Sequence, residues 1–325
     1  MSWLEAIFAI LINPLFYKLT LLSATPLIFA SLGGVYSEST GVTNIALEGI
    51  MLMGAFTSIT VTYVIQQAFG VTLPWIGVLA AAIVGLGFAW LHAWASIRWA
   101  ANQIVSATAL IIIAQGLTSF LMKPIFGHEG RTDPVAKISE FSIPFFKKGT
   151  FLGEIFGELS PFVYIALLSV FVSWFIMYRT PLGLRMRAVG ENPEAADTLG
   201  INVYGIRYFG VLMSGLFASL GGAFLSIGDV GSFGENMVRG RGFIALAAMI
   251  LGNWNPLGAL GASLLFGAAE AMNLQLQSSS IVSVSATVKP LFNMIPFVVT
   301  LIVVGGFIGK TRPPAADGIP YEKGS

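Results

Sequence analysis

The stretch GFIALAAMILGNWNPLGALGASLLFGAAEA, residues 242–271, holds two apolar runs joined by a break. At 1.5 Å per residue the first run, 243–252, reaches about half of a roughly 30 Å hydrocarbon core. The second, 257–276, is long enough to span it. Between them Asn253, Asn255, Pro256 and Gly258 interrupt a helix. The pattern predicts a discontinuous helix or a re-entrant hairpin. Such backbone is tolerated at membrane depth only where protein or a water-filled cavity covers it.

Long apolar runs recur on both sides of this stretch. Of the 325 residues, 55% are hydrophobic and 10% charged, and the mean hydropathy is +0.81. A soluble domain carries about a quarter charged residues. In lipid every backbone N–H and C=O must be paired internally, which leaves helices or a closed barrel. These runs are continuous rather than alternating, so we read an all-α polytopic membrane protein, a single transmembrane domain over 1–325. Candidate spans are about 20–36, 45–66, 74–97, 104–122, 160–178, 204–228, 243–252, 257–276 and 290–309. That is nine crossings, or ten if 4–17 also crosses. The net charge of +1 offers no basic surface for nucleic acid. With no cysteine there is no disulfide and no thiolate ligand. The start, MSWLEAIFAILINPLFYKL, lacks the basic head and cleavage site of a signal peptide. It predicts a short amphipathic or membrane-entering helix broken near Pro14.

A second break lies in GGVYSESTGVTNIALEGIMLMGAF, 33–56, where Gly33, Gly34, Glu38, Ser39, Thr40 and Gly41 interrupt two apolar runs. Ile45-Ala46-Leu47 and Ile244-Ala245-Leu246 follow the same local pattern. Paired interrupted segments in two halves point toward a transport pathway. On 204–228, Gly210, Ser214, Ala218 and Gly222 recur every four residues, a face on which helix backbones approach closely.

Two polar stretches fall outside the apolar runs. Residues 123–159 hold ten charges, five of each sign. Residues 179–203 include Arg185, Arg187, Glu191, Glu194 and Asp197. Lys and Arg divide almost evenly between the two sides, so charge counting leaves orientation open. Within the second stretch Asn192 suits an N-cap, Pro193 the first helical position and Glu194 the first turn. Gly200 is a natural stop. A helix over 193–199 follows, through Ala195, Asp197 and Leu199. At two turns it is marginal alone and needs a surface to dock on.

RAVGENPEAADTLGIN (187–202), with the small-residue helix ending GLFASLGGAFLSIGD, resembles the coupling region of ATP-binding-cassette importer permeases. The branch is the one handling branched-chain amino acids, simple sugars and nucleosides. ATPLIFASLGGVYSESTGVTNIALEGIMLMGAF (24–56) and the stretch 242–271 resemble two further blocks of its nucleoside and sugar members. The resemblance implies a multi-pass cell-membrane subunit that is not an enzyme. Two permease chains, paralogous or identical, would sit on two ATPase subunits, with an extracytoplasmic solute-binding (lipo)protein delivering solute. It also implies that 179–203 and a tail at about 310–325 are cytoplasmic and that 123–159 is exterior. The ATPase would grip Glu191, Asn192, Pro193, Glu194, Ala195, Asp197, Leu199 and Gly200. No GxxxxGK[ST] loop occurs in the chain, so ATP would be used by the partner and no cofactor bound here.

Pathway candidates are polar residues inside apolar runs. A charge at the bilayer centre costs about 3 kcal/mol and must face a cavity or a partner. Glu48 is read either as a solute contact or hydrogen-bond anchor at the helix break, or as a structural group bonded to the neighbouring 33–39 backbone. Glu270 is a second candidate. Thr108, Gln115 and Ser119 stripe one face of 104–122, serving as pathway lining or as polar glue between helices. Asn44, Asn253, Trp254, Asn273 and Phe243 complete the set. Asp229 and Glu235 read as exterior loop residues. His92 and His128 are isolated and form no metal or catalytic site, while Trp90, Trp94 and Trp99 with Arg98 read as an interfacial belt. An ion-coupled secondary transporter remains an alternative, as do sugar or branched-chain amino acid substrates.

Overall fold

Run length and break residues together set the architecture seen in a computed structural model. The structure describes residues 3–144, 146, 149–278, 294–307 and 311–323. Among them seven helices are long and apolar enough to cross a membrane. In chain order α1 (Trp3–Ile12) precedes α2 (Pro14–Glu38), and Asn13 caps α2 by accepting from the Leu15 N–H at 2.9 Å. Next come α3 (Leu47–Phe69), α4 (Pro74–Ala93) with a π-helical extension over Trp94–Arg98, and α5 (Gln103–Phe126). The short α6 (Phe151–Phe156) and α7 (Pro161–Arg179) follow. Then α8 (Pro181–Glu191), α9 (Pro193–Thr198) and α10 (Val203–Ala223) lead into a second π-helical segment, Phe224–Val230. The chain continues through α11 (Arg241–Leu251), α12 (Pro256–Ser278) and α13 (Ile295–Phe307). The long helices are α2, α3, α4, α5, α7, α10 and α12. As the break predicted, α11 is a half-length helix. Positions 290–293, 308 and 309 of the expected last span lie outside the described residues.

Packing centres on α10, which wedges between α2, α3 and α4. Its four-residue row of small side chains is the reason it fits. A Cβ on Gly210 would overlap the Thr40 hydroxyl, and one on Gly222 would overlap the Met51 carbonyl. Ser214 meets Gly33 on α2, whose Cβ would stand 2.8 Å from the Ser214 carbonyl oxygen. The close-packing reading of this row is correct. By contrast α4, α5 and α7 turn large apolar side chains outward, including Ile83, Ile112 and Leu168.

The two polar stretches occupy opposite ends of α7. At the first, segment 131–138 pairs with 227–234 through Thr132 N to Phe233 O at 2.9 Å and Val135 N to Gly231 O at 2.8 Å. A two-residue antiparallel pair, β1 (Phe141–Ser142) with β2 (Glu158–Leu159), lies at the same end. At the other end sit α8 and α9. Stacked Trp90 and Trp94, with Trp99 against Trp94, are exposed beside the same end of α4.

A side chain at Gly222 has no room against the Met51 carbonyl. Gly222→Val is expected to reduce detergent-extractable, monodisperse protein several-fold, whereas Gly116→Val on the open face of α5 leaves the yield near wild type. Size-exclusion profiles of the two variants check this.

Candidate functional site

The charged segment that punctuates the apolar chain forms α9. The Asn192 side chain accepts from the Ala195 N–H at 2.9 Å, and Pro193 opens the helix. Gly200 turns the chain at φ 78°, and its N–H donates to the Asp197 carbonyl at 2.8 Å. Only Ala196 of this helix is buried, packing with Val189 and Val203. Leu199, 81% exposed, stands out of the bundle beside exposed Glu191, Glu194 and Ala195. The helix thus presents an apolar tip beside acidic side chains, fixed by a cap at one end and a left-handed glycine at the other.

At the heart of the bundle the half-helix α11 is held at both ends by carboxylates from other helices. Its first turn exposes N–H groups that have no partner within the helix. Glu48 on α3 accepts from the Gly240 N–H at 2.8 Å and from the Gly242 N–H at 2.7 Å. The negative charge also suits the positive end of the helix dipole. Glu48 is therefore the hydrogen-bond anchor of a helix break, bonded to the 240–242 backbone rather than to 33–39. At the other end Asn253 and Trp254 both take left-handed φ, 53° and 54°, to make the turn. The Trp254 indole N–H donates to Glu38 at 2.6 Å, and the Asn253 side chain accepts from the Arg312 N–H at 2.9 Å.

The first break is held in the same way. Asn44, fully buried, donates to Ser214 on α10 at 2.9 Å and accepts from the Ala46 N–H at 3.0 Å. His92 lies against the Thr43 carbonyl and Ser106, each at 3.1 Å. The Thr43 hydroxyl donates to Asp317 at 3.1 Å. Burial pushes the Asp317 carboxyl up to about 6, a rise that the Thr43 bond and the nearby Arg207 charge only partly offset.

The remaining candidates divide into two places. Thr108, Gln115 and Ser119 share the exposed face of α5, where the Thr108 hydroxyl returns to the Ile104 carbonyl at 2.8 Å. Glu270 pairs with Arg241, the first residue of α11, at 3.2 Å. Together with Asn273, Arg239 and Pro296 that pair bounds a cavity of roughly 180 Å³. Phe243 is half exposed nearby. Asp229 and Glu235 lie at the end of the bundle that carries the 131–138 pairing, and Glu235 accepts from the Gly130 N–H at 3.4 Å. His128 is at that end too, 3.3 Å from Asp133. The structure thus brings Asn44, Glu48, Asn253 and Trp254 to the breaks, and Gln115 with its neighbours to an outer face. Sequence reasoning passed over Glu38, Arg207 and Asp317 as site residues. A signal existed for Arg207, a charge inside the apolar run 204–228.

Removing the Glu48 acceptor strands one buried N–H donor, on Gly242, and one partly exposed donor, on Gly240; a stranded buried donor costs about 1–3 kcal/mol. Glu48→Leu is expected to lower the unfolding midpoint in detergent by several degrees, with Glu48→Gln falling in between. Asp317 is held protonated more tightly when folded than when unfolded, so its contribution is most favourable below about pH 4. It declines as pH rises toward about 6 and is flat above. Asp317→Asn is expected to raise the midpoint at pH 8, with the gain vanishing near pH 4; melting curves across this range check it.

The sequence matches, over residues 17–304, the family described as branched-chain amino acid transport system / permease component. Among its relatives is the guanosine ABC transporter permease protein of Bacillus subtilis (strain 168), 43% identical over 317 residues that cover 94% of this chain and 95% of the relative. The nucleoside ABC transporter permease protein of Lactococcus lactis subsp. cremoris is 40% identical over 304 residues, 93% of this chain and 95% of the relative. A putative glucose ABC transporter permease protein of Haloferax volcanii is 33% identical over 312 residues, 90% and 91% respectively. With its apolar helices, its two braced breaks and a capped helix projecting from one end, the chain belongs to the permease-component family of branched-chain amino acid transport systems.

Proposed function

We propose that this chain is the transmembrane permease subunit of an ATP-driven importer for nucleosides. The observation that carries the reading is α9, a capped helix presenting Leu199 and Glu194 outward from a bundle whose similarity to two nucleoside permeases runs over nine-tenths of its length. On this reading α9 seats in a groove of a separate ATPase on the cytoplasmic side. The 123–159 stretch faces the exterior and meets a solute-binding lipoprotein. ATP is bound and hydrolysed by the ATPase.

The exposed stripe Thr108, Gln115 and Ser119 supports a second permease chain, a paralogue or another copy. An amide on the outer face of an apolar helix is costly against lipid. A partner helix or a water-filled path between the two chains gives it hydrogen-bond partners. Thr108, Gln115, Ser119, Glu270 and Asn273 are then the groups offered to solute, which suits an uncharged molecule rich in donors and acceptors. A simple sugar is the second reading, favoured by the relative described as a putative glucose permease.

Proteoliposomes holding the permease chains, ATPase and binding protein are expected to take up guanosine, with excess unlabelled nucleoside competing and glucose or leucine not. Uptake that persists without the ATPase, or collapses with a proton uncoupler, contradicts an ATP-driven importer. Glu194→Arg and Leu199→Asp are expected to abolish stimulation of ATP hydrolysis by the loaded binding protein while leaving the chain in the membrane. Gln115→Ala is expected to raise the KM for nucleoside severalfold without loss of assembly; unchanged kinetics reject the lining role.

A further inference from the structure

The segment 311–323 crosses the α8–α9 end of the bundle and touches every element that the coupling reading needs. The Ala316 N–H donates to the Gly190 carbonyl at 2.8 Å, at the C-terminal turn of α8. Tyr321 buries its ring with Val189, Ala196 and Val203, joining α8, α9 and α10. Lys323 reaches Asp197 on α9 at 3.6 Å. The same segment reaches both helix breaks, through Asp317 to Thr43 at 3.1 Å and the Arg312 N–H to Asn253 at 2.9 Å.

These contacts differ in weight. The Lys323–Asp197 pair has its lysine largely exposed and contributes little. Arg207, on α10, is only 1% exposed. A buried guanidinium is expensive unless it is paired, so its placement is informative. Its Nη1 donates to the Ile319 carbonyl at 2.9 Å, and its charge lies 5.9 Å from the Tyr321 ring centre. Asp317 lies near enough to act on it electrostatically. Nε and Nη2 have no hydrogen-bond partner among the described residues. The buried charge is thus spent on holding a segment that has no span of its own.

We propose that Arg207 and the 312–321 segment are positioning elements of the transport cycle, carrying displacement of α9 to the Asn253–Trp254 break of α11 and to the Thr43 break before α3. α9 has one buried residue of its own, and Tyr321 packs on it together with Val189 of α8 and Val203 of α10. The segment is placed to move with α9 and to reach beyond it, because it is hydrogen-bonded at one side to α8 and at the other to both breaks. The inference rests on the importer reading above.

The test uses the whole reconstituted transporter. The chain has no cysteine, so spin labels at Thr198→Cys and Ile319→Cys, both exposed, are unique on it. Their distance is expected to stay the same between nucleotide-free and ATP-bound states, since α9 and the segment move as one body. Tyr321→Ala is expected to lower solute imported per ATP hydrolysed by at least about fivefold, the lower end of typical coupling between sites. Tyr321→Phe, which keeps the ring, is expected to restore the wild-type ratio. A label distance that changes with ATP, an unaltered ratio in Tyr321→Ala, or a Tyr321→Phe as defective as Tyr321→Ala overturns the proposal. Should Tyr321→Ala fail to assemble, the label distance decides alone. Wild-type vesicles without ATP-dependent uptake would instead refute the importer reading, so the two failures are distinct.

Discussion

A half-helix that starts inside a bundle must find partners for its first N–H groups, because its own first turn supplies none. Glu48 meets that need for α11 by accepting from Gly240 and Gly242. Much else follows from it. The carboxylate must be brought to α11 by α3, so α3 has to begin at the first break, and that break needs its own bracing through Asn44 and Ser214. The opposite end of α11 turns through two left-handed residues, and Glu38 receives the indole of one of them. Two acidic residues that look anomalous in an oily chain are the fittings of a discontinuous helix.

Close backbone approach makes these fittings possible. The row Gly210, Ser214, Ala218 and Gly222 lets α10 lie against α2 and α3 with no side chain between, so Ser214 reaches both Gly33 and Asn44. Dispersion over short distances replaces the hydrophobic drive that is absent between helices in lipid. The central helices are consequently close-packed, and large apolar or polar side chains are left exposed at the periphery, on α5 and beside α9.

Legibility in the sequence followed the range of the forces involved. The α9 helix was readable to within a residue, because Asn192, Pro193, Glu194 and Gly200 act on their own backbone within one or two turns. The length of 243–252 predicted a half-helix, and the break residues after it did the rest. The helix near the start, broken at Pro14, was equally local. Glu48 is recognisable as a charge in need of a partner, and of its readings the hydrogen-bond anchor at a helix break agrees with the structure, while bonding to 33–39, next door in sequence, does not. The structure pairs it with residues almost two hundred positions away. The side chains of Trp254 and Asn253 reach Glu38 and the Arg312 N–H, contacts that sequence spacing does not announce.

Helical class, the half-helix and its break, the α9 cap and the small-residue row came from the sequence alone, since each depends on run length, backbone conformation or the size of a single side chain. The first break was different, beginning only after Glu38, with Gly33 and Gly34 inside α2 where they seat α10 and α11 closely. Which carboxylate caps which helix, how Arg207 is spent, and the crossing of 311–323 over α8 and α9 were decided only by the tertiary structure. Those contacts join segments far apart in the chain. A residue's need for a partner is written in its own chemistry, but the identity of that partner depends on which helices pack closely enough to deliver it.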